Sequence, residues 1–111
     1  MDVKAELKNC SVSPQKMRLV LDLVRGKNAE EAISRLRFTN KKSAKPVSKL
    51  IASAIANAEN NFGLNSQNLY IHSICADAAP LRKWRRFGAR GRFKPILRRS
   101  SHVKVVLREK V

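Results

Sequence analysis

The densest cluster of residue types able to do chemistry is His72-Ser73-Ile74-Cys75-Ala76-Asp77, which offers a nucleophile, a base and an orienting carboxylate. Covalent catalysis needs the nucleophile within hydrogen-bond reach of its base. The cluster lies in a run from Leu69 to Ala78 that reads as a β-strand through Tyr70, Ile71, Ile74 and Cys75. Strand side chains alternate between faces, so His72 and Cys75 are expected to point to opposite sides, unable to hydrogen-bond as nucleophile and base. His102 could approach from a neighbouring strand, yet no glycine-rich loop, paired carboxylates or metal-ligand spacing accompanies it. Cys10 and Cys75 are far apart in the chain and form no CxxC pair. They are expected to be half-buried thiols in a reducing compartment, not a disulfide framework or a zinc site. No enzyme, bound metal or cofactor is expected.

The second concentration is of charge. The chain has 111 residues, with 24 Lys+Arg against 8 Asp+Glu and a formal net charge of +16. Between Pro80 and Arg99 stand Arg82, Lys83, Arg85, Arg86, Arg90, Arg92, Lys94, Arg98 and Arg99, with no acidic residue among them. Charge of one sign at this density repels itself and ordinarily persists because a polyanion neutralises it. Trp84, Phe87 and Phe93 are interleaved with the arginines and offer rings that stack on unpaired bases. Arginine predominates, and its planar fork suits phosphate contact and stacking. A membrane-surface segment would need an amphipathic helix, which Pro80, Gly88, Gly91 and Pro95 spoil. Nucleic acid is the expected partner, and composition alone leaves open an architectural DNA-binding arm or an RNA-binding one.

The positioning elements follow from periodicity. A hydrophobic fraction of 43% fits one folded domain with a modest core. No apolar run is long enough to span a membrane, and Met1 leads straight into alternating Val3, Ala5 and Leu7, so the expectation is one strand and neither a membrane span nor a signal peptide. Ser13-Pro14 starts a helix whose apolar residues Met17, Val20, Leu21 and Val24 predict a span of roughly 14–25, stopped by Gly26. Asn28 with Glu31 resembles a capping box for a second helix with Ala29, Ala32, Ile33 and Leu36, ending near Arg37. A long helix of about 42–61 carries Val47, Leu50, Ile51, Ala54, Ile55 and Ala58, with Pro46 disturbing its first turn. Ser101 to Arg108, with Val103, Val105 and Leu107 on one parity, predicts another strand. The basic segment is then the connection between two antiparallel strands, expected as an extended hairpin over 80–99 on a body of 1–79 and 100–111, all in one domain.

The residues also resemble a known family, protein 22 of the large ribosomal subunit. The resemblance spans nearly the whole chain and rests on four motifs in order: Ser13-Pro14-Gln15-Lys16-Met17-Arg18 with Arg25-Gly26-Lys27, Ser53-Ala54-Ile55-Ala56-Asn57-Ala58-Glu59-Asn60-Asn61, Ala89-Arg90-Gly91-Arg92, and Arg99-Ser100-Ser101-His102-Val103. It implies an α+β fold, three helices packed on a small three-stranded antiparallel sheet, with a long basic β-hairpin extension. It also implies a structural role. The body would sit on the subunit surface, bind 23S-type rRNA during assembly, and send the hairpin to line the polypeptide exit tunnel.

Carried over, rRNA contacts are expected from Lys16, Arg18, Arg25 and Lys27 on the first helix and its exit and from Lys83, Arg90, Arg92, Arg98 and Arg99 on the hairpin, to which the charge and aromatic pattern of the segment adds Arg82, Trp84, Arg85, Arg86 and Lys94. Phe87, Gly88, Ala89, Arg90, Gly91 and Arg92 would form the tunnel tip. The resemblance implies neighbouring large-subunit proteins and the nascent polypeptide as further partners, no homo-oligomer and a ribosome-bound location, while the residues themselves lead to the expectation of no membrane partner and, without a transit-like N-terminal pattern, of the cytoplasm. Trp84 departs from the family pattern, in which a second basic residue is common, and Phe87-Gly88 stands where Pro-Arg is usual.

Overall fold

Alternation at one end of the chain and helical stripes in the middle produce the order β1 (Asp2–Cys10), α1 (Pro14–Leu21), α2 (Ala29–Arg37), α3 (Ala44–Phe62), a 3₁₀ turn (Ser66–Asn68), β2 (Leu69–Ala78), β3 (Arg82–Phe87), β4 (Phe93–Arg98) and β5 (Ser101–Glu109). The computed structural model describes residues 2–80, 82–87 and 93–109, and of the strands at 82–87 and 93–98 it describes the backbone. β1, β5 and β2 form an antiparallel sheet in that order, with β5 central, and β3 and β4 pair antiparallel as a second, two-stranded sheet. Three helices against a three-stranded antiparallel sheet make the expected α+β fold.

Parity decides the inner face. Val3, Leu69, Ile71, Ile74, Ala76, Val103, Val105 and Leu107 are buried against Met17, Val20, Leu21 and Val24 beside α1, Ala32 and Leu36 of α2, and Val47, Ile51, Ala54 and Ala58 of α3. Each fully buried branched side chain contributes about 1.5–3 kcal/mol of apolar transfer, which makes this face the source of stability. The alanines of α3 let its backbone lie close to its neighbours. Pro46 is in the first turn, where no intrahelical donor is lost, so the helix runs on from Ala44. Gly63 ends it with φ of 65°, and the Leu64 N–H donates to the Ala58 carbonyl at 3.1 Å, a Schellman-type stop.

Two expectations are corrected by local geometry. The first helix ends at Leu21 rather than near Arg25, because the Leu23 and Val24 N–H groups donate to the carbonyls three residues back, Val20 and Leu21, at 3.1 Å each. Those tighter turns still bury Val24, so the apolar stripe continues past the helix. The second correction concerns His72 and Cys75. Ladder register shifts between Ile71 and Ser73, a β-bulge that resets the alternation. Both residues are exposed, on the side of β2 away from the core. Cys75 is thus an exposed thiol rather than a half-buried one, while Cys10 is intermediate.

β2 is an edge strand, and an edge offers unpaired backbone groups to any passing chain. Here the α1 side of the body covers it. The Ile71 N–H donates to the Lys27 carbonyl at 2.9 Å, Arg25 donates to the Ile74 carbonyl at 2.9 Å, and Arg18 to the Ala76 carbonyl at 3.0 Å. Past β2, the Ala79 N–H still donates to the Ser100 carbonyl, and the ladder resumes with Arg82 opposite Arg98. Pro80, with no N–H to donate, lies in the irregular step between the two.

Candidate nucleic-acid interface

Four cations from three stretches of chain meet in one cleft of about 760 Å³, whose described lining comprises Ser11, Val12, Ser13, Lys16, Leu19, Lys41, Lys42, Ser43 and Arg99. No acidic residue is among those lining residues. Lys16 sits in the first turn of α1, where the backbone N–H groups and the positive end of the helix dipole favour an anion. Lys41 and Lys42 come from the α2–α3 connection, ordered by the Ala44 N–H donating to the Lys41 carbonyl at 3.1 Å. Arg99 precedes β5. Its position is set by the fully buried Ser101, whose hydroxyl donates to the Val12 carbonyl at 2.9 Å and so ties the foot of the hairpin to the loop that starts α1.

Volume alone does not distinguish this cleft. Another, of about 670 Å³, lies around Asn28, Gln67, Tyr70 and Glu109, and its described lining holds a carboxylate and no cation. Like charges gathered in one concavity repel at a few tenths to one kcal/mol per pair in water, so the first cleft favours a polyanion and the second does not.

The structure divides the residues expected on the first helix. Lys16 is exposed in the cleft, whereas Arg18 and Arg25 each commit guanidinium donors to the edge of β2, with Arg25 also paired to Asp22. Lys27 is half-buried, and its carbonyl holds Ile71. Lys41 and Lys42 are missed by the sequence reading. Their signal is legible in retrospect: between Glu31 and Glu59 the chain carries Arg35, Arg37, Lys41, Lys42, Lys45 and Lys49 and no acidic residue.

On the hairpin, Arg82, Lys83, Trp84, Arg85, Arg86 and Phe87 lie in β3, and Phe93, Lys94 and Arg98 in β4. The register sets Arg82 opposite Arg98 and Arg86 opposite Lys94, like-charged cross-strand pairs that weaken an isolated ladder. It also sets Phe87 opposite Phe93, so two aromatic residues close the paired segment. Gly88, Ala89, Arg90, Gly91 and Arg92 of the expected tip lie outside the described residues. Among the described residues no group of His, Cys, Asp and Glu is placed to hold a metal ion, and no helix is long and apolar enough to cross a membrane.

A small α+β domain with a positive cleft at the foot of a basic hairpin belongs to the class of basic domains suited to contact a polyanion. The family is shown by comparison. The model of the ribosomal protein L22p/L17e family matches residues 5–108, and the chain belongs to that family, whose members are structural proteins and not enzymes. It is similar to the large ribosomal subunit protein uL22 of two strains of Dehalococcoides mccartyi, 54% identical to one and 53% to the other over 107 residues, which cover 96% of this chain and 98% of each relative.

Proposed function

We propose that this chain, a structural constituent of the large ribosomal subunit, binds 23S-type rRNA with both its body and its hairpin, supports assembly, and lines the polypeptide exit tunnel with the hairpin tip. The observation that carries this reading is the cleft uniting Lys16, Lys41, Lys42 and Arg99 at the root of the like-charged ladder. Body and hairpin thereby present one positive surface to RNA. Phosphate neutralisation would relieve the repulsion between Arg82 and Arg98 and between Arg86 and Lys94, which weakens the ladder on its own. The elongation of the molecule supports a projecting hairpin: its longest extent is 64 Å and its radius of gyration 17.1 Å, whereas a compact chain of this length has about 13 Å.

In this reading the body sits at the subunit surface among neighbouring large-subunit proteins, and Phe87, Gly88, Ala89, Arg90, Gly91 and Arg92 face the nascent polypeptide. The protein acts as a monomer, ribosome-bound in the cytoplasm. The test is to purify ribosomes carrying Arg90→Glu, quantify the protein's stoichiometry and compare arrest-peptide pausing with wild type. Body contacts should keep the stoichiometry normal while pausing changes. Normal stoichiometry with unchanged pausing would refute the tunnel role of Arg90, and failed incorporation would make the tip an assembly anchor instead.

A further inference from the structure

We infer that Phe38, at the corner between α2 and α3, is a stacking platform for an unpaired base of the bound RNA, with the flanking cations holding the adjacent phosphates. The inference rests on the RNA-binding reading and adds a mode of recognition on the body. Phe38 is 90% exposed, whereas Leu19 is 59%, Phe62 46% and Leu23 38% exposed. A phenyl ring left in water this fully gives nothing to the core, and its backbone is nonetheless well held. The Phe38 N–H donates to the Arg35 carbonyl at 3.2 Å, the Thr39 N–H to the Leu36 carbonyl at 3.2 Å, and the Thr39 hydroxyl to the Arg35 carbonyl at 2.9 Å. The ring is therefore presented from an ordered turn, and little backbone order remains to be supplied on binding.

Its surroundings choose the partner. Arg35, Arg37, Lys41 and Lys42 lie within four residues of Phe38 in the chain, and Lys41 and Lys42 line the cleft that also holds Lys16, Leu19 and Arg99. Cores of protein contacts are contiguous, apolar and depleted of charge. A lone ring among cations fits a splayed nucleotide, whose base has a π-face and whose phosphates are anionic. Lys41 and Lys42, three and four residues after Phe38 in the chain, are the cations assigned to the phosphates next to the stacked base.

The experiment titrates the full-length protein with a single-stranded RNA of about ten nucleotides carrying 2-aminopurine, a base analogue whose emission is quenched by stacking. Phe38→Ala should weaken binding roughly tenfold and reduce the quench, while leaving the salt slope and the thermal melt unchanged, since it removes neither a charge nor a buried group. Phe38→Trp should retain both affinity and quench. Phe38→Leu, apolar but without a π-face, should behave like Phe38→Ala. The double variant Lys41→Ala with Lys42→Ala should lower the salt slope, because it removes phosphate contacts. Wild-type affinity and quench in Phe38→Ala would overturn the inference, as would full affinity and quench in Phe38→Leu, which would make the contact to RNA apolar rather than π-stacked. Binding of wild type to a structured rRNA transcript but not to the oligonucleotide would overturn the stacking site alone. Failure to bind either RNA would overturn the RNA reading with it.

Discussion

The sheet of β1, β5 and β2 and the ladder of β3 and β4 share antiparallel backbone geometry, and β2 leads into β3 as β4 leads into β5. In the first, Ile74 pairs with Val105 and Ile71 with Leu107, and all four side chains are buried beneath helices. In the second, Arg82 faces Arg98 and Arg86 faces Lys94 across the ladder, Lys83 faces Leu97 and Arg85 faces Pro95, and only Trp84 with Ile96 and Phe87 with Phe93 pair apolar residues. Two-stranded ladders are marginal in water even without charge repulsion. Backbone pairing therefore stays the same in kind while the buried apolar pairs of the first sheet give way to like-charged pairs in the second, whose repulsion RNA phosphates would neutralise under the proposed function.

The largest expected effect lies in the body. Ile51, fully buried in α3, should cost about 2–5 kcal/mol when replaced by Ala, read as a lower urea midpoint at unchanged slope. The comparison breaks if that variant loses RNA affinity per folded molecule while keeping its stability. Next comes the cleft: Lys41→Glu with Lys42→Glu should weaken binding to an rRNA fragment roughly tenfold or more and reduce the salt slope, with the melt unchanged. An unaltered affinity would confine RNA binding to the hairpin.

The body was open to reading because its signals are local and periodic. Val3, Ala5 and Leu7 mark β1; Val103, Val105 and Leu107 mark β5; Asn28 marks the start of α2, where its side chain accepts from the Glu30 and Glu31 N–H groups at 3.0 and 3.4 Å. The bulge at His72 leaves no such mark, since nothing in Ile71-His72-Ser73 shows that this strand will carry one residue more than its partner. The cleft was half legible. Lys16 and Arg99 belong to motifs, but their meeting with Lys41 and Lys42 depends on tertiary packing of α1, the α2–α3 connection and the foot of the hairpin. The structural duty of Arg18 and Arg25 is likewise a matter of which strand edge they reach, which charge and spacing do not disclose.

That duty supplies a smaller test. Arg18→Ala should lower stability by about 1 kcal/mol, the net value of one such hydrogen bond, and should change the salt slope of RNA binding little. A large loss of slope with no change in the melt would return Arg18 to the RNA surface. The smallest effect concerns Asp2, whose carboxyl is held below its ordinary value by the hydrogen bond from Arg108. A depressed folded-state value contributes stability above the unfolded aspartate value, near pH 3.9, and loses it as pH falls through the folded one. Asp2→Asn should therefore differ slightly from wild type at neutral pH and converge with it in acid. A gap that widened on acidification would contradict the pairing.

The most direct measurement replaces residues 82–98 with a short Gly-containing turn and follows both thermal unfolding and the salt dependence of rRNA binding in the same protein. Among the described residues the buried core joins the helices to β1, β2 and β5, so on the proposed division of body and arm unfolding should stay cooperative. Removing eight basic residues should cut the slope of log affinity against log salt, at about 0.7–0.9 per lost phosphate contact, while the cleft retains a residual dependence. A melt that lost its cooperativity, or a slope equal to that of the intact chain, would contradict the division between a self-sufficient fold and a charged arm that RNA stabilises.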